Sequence, residues 1–316
     1  MFSIGLGRPD FRVKSYNGED FRIKWVVSEV RGYRSSMEDR HVHNTNIIDT
    51  EMDDSGDKIS IFGVFDGHGG DYAAEWVSEK LTSNLSEELR ITKTPPKERY
   101  ESIFHSTDQQ LRDVVGRPDL TPTSFMDPSG TTACVCIIRN NKHSGDTTLT
   151  CLNAGDTRAV LFDDGEIVNL SDDHKPMDEV ERSRVIKAGG FLHDERINGD
   201  LAVARSFGDF IHKCKFDFKE HEQPLVCTPD VRDFTLYNQS HNGLRFFLIA
   251  SDGLWDVMSS KQAANYIKLE IENVKIETGS DVVDIQDLQF IVEKLVLHSV
   301  KDLDSGDNVT VVLVVM

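Results

Sequence analysis

The sequence is short of cysteines and of positive charge, and each shortage excludes something. Its five cysteines are an odd number without C-x-x-C spacing, so neither a disulfide framework nor a zinc ribbon is indicated. Cys134 and Cys136 sit in the apolar run Ala133 to Ile138 and Cys151 in another, where thiols fill core space, and a reducing compartment is expected. Lys and Arg number 35 against 54 Asp and Glu, and the formal net charge of -19 opposes non-specific attraction to nucleic acid or to anionic membranes. No stretch approaches the roughly 18 consecutive apolar residues of a membrane helix. Met1 to Gly7 lack the basic region and long apolar core of a secretory signal, and Phe2 stands where N-myristoylation needs glycine. A soluble cytoplasmic or nuclear protein, without nucleic-acid or membrane partners, is expected by elimination. Internal repeats, low-complexity tracts and an interdomain linker are also missing.

Residues 1–22 are polar and turn-rich and read as an N-terminal extension, and the length of the chain allows one large domain or two ordinary ones. Short β-branched or aromatic runs predict strands at Ile59 to Phe65, Thr132 to Ile138, Thr148 to Asn153, Ala159 to Phe162, Arg245 to Ala250 and Val309 to Val315. Turn residues such as Asp163-Asp164-Gly165 join them as antiparallel hairpins. Ala74, Val77, Leu81, Leu85 and Leu89 recur at helical spacing, and Ile103, Thr107, Leu111 and Val114 form a second such stripe, giving a helical hairpin. Further helices are expected at Asp178 to Ala188, Lys261 to Glu272 and Ile285 to Lys301, with an exposed polar loop over Asn273 to Asp284. Hairpin strands with helices inserted in pairs make an α+β domain whose helices cover antiparallel sheets.

The chemistry-bearing residues lie where apolar runs stop. Phe62-Gly63-Val64-Phe65 leads into Asp66-Gly67-His68-Gly69-Gly70, and Phe246-Phe247-Leu248-Ile249 leads into Ser251-Asp252-Gly253-Leu254-Trp255-Asp256. Ser305-Gly306-Asp307-Asn308 precedes the last strand, Asn153-Ala154-Gly155-Asp156-Thr157-Arg158 lies between two strands, and Glu38-Asp39 follows Arg34. Taken singly, each is equally a turn, a cap or a surface ion pair, and Arg34 equally a salt-bridge partner of Glu38 or Asp39. Five recurrences in one domain let strand ends converge on a common site, and oxygen ligands without His or Cys favour magnesium or manganese over zinc.

Taken in order, Gly32 to Asp39, Val64 to Gly70, Ser129-Gly130-Thr131-Thr132, Asn153 to Arg158 and Asp173-His174-Lys175-Pro176 resemble motifs of the PPM (type 2C) metal-dependent protein serine/threonine phosphatases. Ala188-Gly189-Gly190, Leu201 to Asp209, Ser251 to Asp256 and Asp307-Asn308 continue the series, which runs from about residue 25 to the C-terminus. The resemblance implies a single domain over residues 23–316, a four-layer α-β-β-α sandwich with two Mg²⁺ or Mn²⁺ ions and a third, weaker one between the sheets. By matching positions, Asp66 would bridge two ions, and Glu38, Asp252, Asp307 and the Gly67 carbonyl would complete their shell. Asp39 would lie at its edge, and Asp156 with Asp252 and Asp256 would hold the third ion.

Arg34 matches the family's phosphate-binding arginine, whose planar fork suits two phosphate oxygens. His68, with an imidazole that titrates near neutrality, could protonate the departing oxygen. Residues 191–228 match a flap, and Arg205 would either orient it or form a structural ion pair. The implied reaction is hydrolysis of phosphoserine and phosphothreonine in proteins by a metal-bridged water, without a phospho-enzyme. The implied partners are phosphoprotein substrates met by a monomeric signalling hydrolase.

Overall fold

A computed structural model describes residues 9–20, 22–47, 56–115, 127–213, 217–237 and 243–316. The first eight residues and Phe21 of the expected extension, and Cys214-Lys215-Phe216 of the charged stretch expected in a flap, lie outside the described residues. The chain begins with β1 (Lys14–Asp20), β2 (Ile23–Val30), β3 (Arg40–Asn44), β4 (Lys58–Phe65) and the two-residue β5 (Gly67–His68). Helices α1 (Tyr72–Ile91) and α2 (Lys97–Val115) form the expected hairpin. Next come β6 (Gly130–Thr131), β7 (Ala133–Asn140), β8 (Thr147–Ala154), β9 (Arg158–Asp163), β10 (Glu166–Asn169) and α3 (Glu179–Lys187). Short strands β11 (Leu192–His193), β12 (Arg196–Ile197) and β13 (Phe207–Gly208) lead to β14 (Asp230–Leu236) and β15 (Arg245–Ala250). A single helical turn, α4 (Asp252–Trp255), precedes α5 (Ser260–Thr278), α6 (Ile285–Lys301) and β16 (Val309–Val315).

Two antiparallel sheets follow from the pairing. One has the order β1-β2-β16-β15-β9-β10 and the other β14-β8-β7-β4-β3. Successive side chains on a strand point to opposite faces, and the three main core clusters obey this alternation. Phe62, Val64, Cys134, Cys136 and Ile138 face Val27, Leu161, Phe247, Ile249, Val312 and Val314 between the sheets. Their neighbours Ile61, Phe65, Val135 and Ile137 point outward onto Ala74, Val77, Leu81 and Leu85 of α1 and Phe104 and Leu111 of α2. On the far side Val26, Val160, Phe246, Leu248 and Leu313 meet Ala264 and Ile267 of α5 and Ile291 and Leu295 of α6. The result is an α-β-β-α sandwich, the expected α+β class, whose central strands read as continuous apolar runs because both faces are covered.

The structure alters several boundaries. Helix α5 extends through Thr278, so the loop predicted from Asn273 shrinks to residues 279–284. Val274 packs on the core, and that apolar contact outweighs the polarity of its neighbours. Lys14–Asp20, within the stretch read as an extension, forms an outer strand hydrogen-bonded to β2, so the sheet begins at Lys14. Val114 is 56% exposed rather than part of the α2 stripe. The Asp163-Asp164-Gly165 turn is a hairpin with φ of 48° at Asp164 and 99° at Gly165, the left-handed pair that matches strand twist. Cys134, Cys136, Cys151 and Cys227 are buried free thiols.

The ring centroids of Phe62 and Phe247 stand 6.3 Å apart across the inter-sheet layer, and both side chains are fully buried. Phe62→Ala is expected to cost about 3–5 kcal/mol of unfolding free energy in a denaturant titration, while Val180→Ala, on an exposed helical face, changes it by less than about 0.5.

Candidate active site

The sandwich collects strand ends of both sheets at one edge, and the carboxylates sit there. Asp66 directly follows β4, and its backbone N–H donates to Thr132 Oγ1 at 3.1 Å while its carbonyl accepts from the Thr132 N–H at 2.9 Å. Ser129 Oγ accepts from the N–H of Ala73 at 3.0 Å, so one short segment holds both Asp66 and the first turn of α1. Gly67 is required by close approach, since a β-carbon there would lie 2.4 Å from the Glu38 carbonyl oxygen and 3.0 Å from Ala74 Cβ. Asp252 opens the single turn α4 after β15, and its N–H reaches Asp66 Oδ2 at 3.3 Å.

Asp66, Asp156 and Asp252 each offer a carboxylate oxygen within 4.8 Å of the other two. Burial pushes the Asp66 carboxyl well above the usual carboxylate range, and the like charges of Asp252, Asp39, Asp156 and Asp307 add to it. Burial does the same to Asp252, with Asp156 and Asp307 reinforcing and Lys175 opposing. Crowded anions in a low-dielectric place cost free energy unless a cation or proton joins them. An oxygen-only set of this kind fits a hard divalent cation, and one protein cation already attends it: Lys175 Nζ donates to Asp156 Oδ2 at 2.5 Å.

The other expected ligands have different partners. Glu38 Oε1 accepts from Ser36 Oγ at 2.6 Å and Oε2 from the Gly70 N–H at 3.1 Å. Asp39 is 2% exposed, accepts from Ser251 Oγ at 2.8 Å, and is pushed up to about 7 by burial. Asp307 Oδ2 is ion-paired with Arg34, and Oδ1 accepts from the Asn308 N–H at 2.7 Å. Arg34 therefore forms a salt bridge, with Asp307 rather than with Glu38 or Asp39. Asp256 is linked to the turn by its N–H, which donates to the Asp252 carbonyl at 2.8 Å, and burial raises its pKa.

His68 Nε2 lies 2.7 Å from Asp209 Oδ2. Burial opposes a charge on this ring, but the Asp209 carboxylate more than offsets it, and the pKa rises above the usual imidazole value. Arg205 is a structural clamp: Nε and Nη2 donate to Glu181 Oε1 at 3.0 and 2.6 Å, and Nη1 to Asp230 Oδ1 at 2.8 Å. It ties its own segment to α3 and β14, and Val185, Ile197, Ala204 and Leu225 form a small apolar cluster nearby.

Three contributors have no role assigned by sequence reasoning. Lys175 neutralises Asp156, Asp209 fixes His68, and Asn308 accepts from the Glu38 N–H at 2.8 Å while donating to the Arg31 and Ser36 carbonyls at 2.9 and 3.0 Å. All three lie inside recognised motifs, and a polar residue beside an assigned one was the available signal.

A family model described as "Protein phosphatase 2C" matches residues 23–309. The chain is 34% identical over 265 residues to "Protein phosphatase 2C homolog 2" of Hypocrea jecorina, covering 83% of this chain and 57% of that protein. It is 32% identical over 321 residues to "Probable protein phosphatase 2C 6" of Paramecium tetraurelia, covering 98% of each. It thus spans a little over half of the fungal relative and nearly all of the ciliate one. A crystal structure of a Toxoplasma gondii phosphatase shares the fold, with a TM-score of 0.74, 22% identity, and coverage of 96% of this chain and 95% of that one.

A carboxyl whose pKa rises on folding contributes stability that is present in acid and lost as pH rises through the folded value. In EDTA, Asp39→Asn is therefore expected to raise the melting temperature above pH 7 and to leave it unchanged near pH 4, the ordinary aspartate range of about 3.9. Added Mg²⁺ or Mn²⁺ should raise the melting temperature of the parent protein at neutral pH, because binding favours the folded state. Equal melting curves for parent and variant across pH would contradict the electrostatic account.

Proposed function

The chain belongs to the protein phosphatase 2C family, and we propose that it hydrolyses phosphoserine and phosphothreonine in proteins, with the acidic cluster as its reaction centre. The observation that carries this reading is the convergence of Asp66, Asp156 and Asp252 at the strand ends. Asp66, Glu38, Asp252, Asp307 and the Gly67 carbonyl would hold two Mg²⁺ or Mn²⁺ ions, and Asp156 with Asp252 and Asp256 a third, more weakly bound. When bound, the ions supply an acidified water and offset phosphoryl charge, so no side-chain nucleophile or phospho-enzyme is needed.

The remaining work falls to this chain's own residues. Arg34 is 45% exposed, and its fork can exchange the Asp307 carboxylate for two phosphate oxygens, which frees Asp307 for the ligand set. His68 carries a proton beside the cluster and delivers it to the departing serine or threonine oxygen. Asp39 stays beneath, bonded to Ser251, and raises the negative potential that draws cations to Asp66. The substrates are phosphoproteins, and a monomer suffices because the named residues all come from one chain.

Purified protein is expected to release phosphate from a phosphothreonine peptide in Mn²⁺ or Mg²⁺ and to stop in EDTA. Asp66→Asn should abolish release without loss of the native circular dichroism spectrum. Arg34→Lys keeps the charge but loses the planar fork, and should raise KM more than it lowers kcat. Phosphate release that persists without divalent ions would overturn this reading.

A further inference from the structure

Asp209 reaches His68 across a strand that separates them. His68 belongs to β5, Asp209 follows β13, and β6 lies between, with Gly130 paired to His68 on one side and Gly208 on the other. The missing side chain of Gly130 makes the 2.7 Å contact possible: a β-carbon there would stand 2.0 Å from Asp209 Oδ2 and 2.5 Å from His68 Nε2. Asp209 adopts a φ of 49°, a left-handed conformation that aspartate tolerates better than most side chains. Its own side chain is 6% exposed, and Oδ2 also accepts from Ser206 Oγ at 2.6 Å. The loop is held in turn by Asp108 of α2, whose Oδ1 accepts from the Gly208 N–H at 2.9 Å. Lys213 Nζ joins Asp108 Oδ2 and the Ser206 carbonyl, each at 2.8 Å. A carboxylate fixed from so many sides holds its partner ring in one orientation.

We propose that Asp209 is the positioning residue of His68, fixing the ring with Nε2–H donated to the carboxylate so that Nδ1 delivers the proton to the leaving oxygen. This inference rests on the reading of His68 as the acid. As the bond from phosphorus to the serine or threonine oxygen breaks, the Nδ1 proton moves to that oxygen. The products are the free hydroxyl side chain and inorganic phosphate, whose added oxygen comes from water. His68 is left neutral, still bonded to Asp209 through Nε2–H, and regains its proton from solvent. An alkoxide cannot leave without that proton, whereas a nitrophenolate leaves unaided. The contribution of Asp209 must therefore depend on the leaving group.

The test compares kcat of Asp209→Asn on a phosphothreonine peptide and on p-nitrophenyl phosphate, both with Mn²⁺. The expected loss on the peptide is about 10- to 100-fold, as for other residues that orient an active group through hydrogen bonds. It should exceed the loss on the aryl ester by at least about tenfold, and the double variant with His68→Gln should lose nothing beyond His68→Gln alone. Equal losses on both substrates would mean a purely structural role and would overturn the proposal, as would no loss on either. If His68→Gln is sensitive to the leaving group and Asp209→Asn is not, this inference fails alone. If His68→Gln is also insensitive, the acid reading fails with it. Should Asp209→Asn not fold, Ser206→Ala removes the second donor to the same oxygen and should shift the substrate ratio in the same direction, an unchanged ratio counting against the proposal. In metal-free protein, proton NMR should show a slowly exchanging imidazole N–H that is absent in both His68→Gln and Asp209→Asn. Its survival in Asp209→Asn would contradict the geometry.

Discussion

Repulsion among crowded carboxylates is the interaction around which this molecule is organised. Asp66, Asp156 and Asp252 are held within 4.8 Å of one another, with Asp39 and Asp307 close enough to raise the Asp66 pKa further. Such a group scatters unless its carriers are stiff. Here they are the ends of strands clamped between three apolar layers, and uncharged polar side chains of the motifs supply the clamps. Thr132 pins the backbone of Asp66, Ser129 the first turn of α1, and Asn308 the loop that carries Glu38. The protein surrounds the anions with its own cations, Lys175 on Asp156 and Arg34 on Asp307, so the cluster is partly compensated before any ion binds.

What could be read in the sequence follows the same division between covered and uncovered strands. Strands β4, β7, β8, β9, β15 and β16 were legible because layers on both faces turn them into apolar runs. The four strands β1, β10, β3 and β14 were not, and they are the outer strands of the two sheets. An edge strand carries polar and charged residues that discourage pairing with another chain, and its pattern fades into that of a loop. Strand β2 lies inside its sheet but was obscured by Ser28 and Glu29, which are buried yet polar.

The site was legible as a set of residues and not as a set of contacts. Ordered motifs named Glu38, Asp39, Asp66, Asp252 and Asp307, yet spacing along a chain does not reveal which carboxylates face each other. The structure groups Asp156 with Asp66 and Asp252 and gives Asp307 to Arg34. Asp209 lies 141 positions from His68, and only the three-strand arrangement through Gly130 brings them together. For Arg205 two readings stand side by side in the sequence, flap orientation and a structural ion pair, and the structure pairs it with Glu181 and Asp230.

One guanidinium bonded to a carboxylate proposed as an ion ligand has a thermodynamic consequence. If Arg34 must leave Asp307 before that carboxylate can turn to an ion, and if phosphate is what draws Arg34 away, cation and substrate each lower the other's dissociation constant by the same factor. The Arg34–Asp307 pair then acts as an internal competitor to both. On those two conditions, ion affinity measured on the resting protein would understate its affinity during turnover, and the two ligands would load as a linked pair.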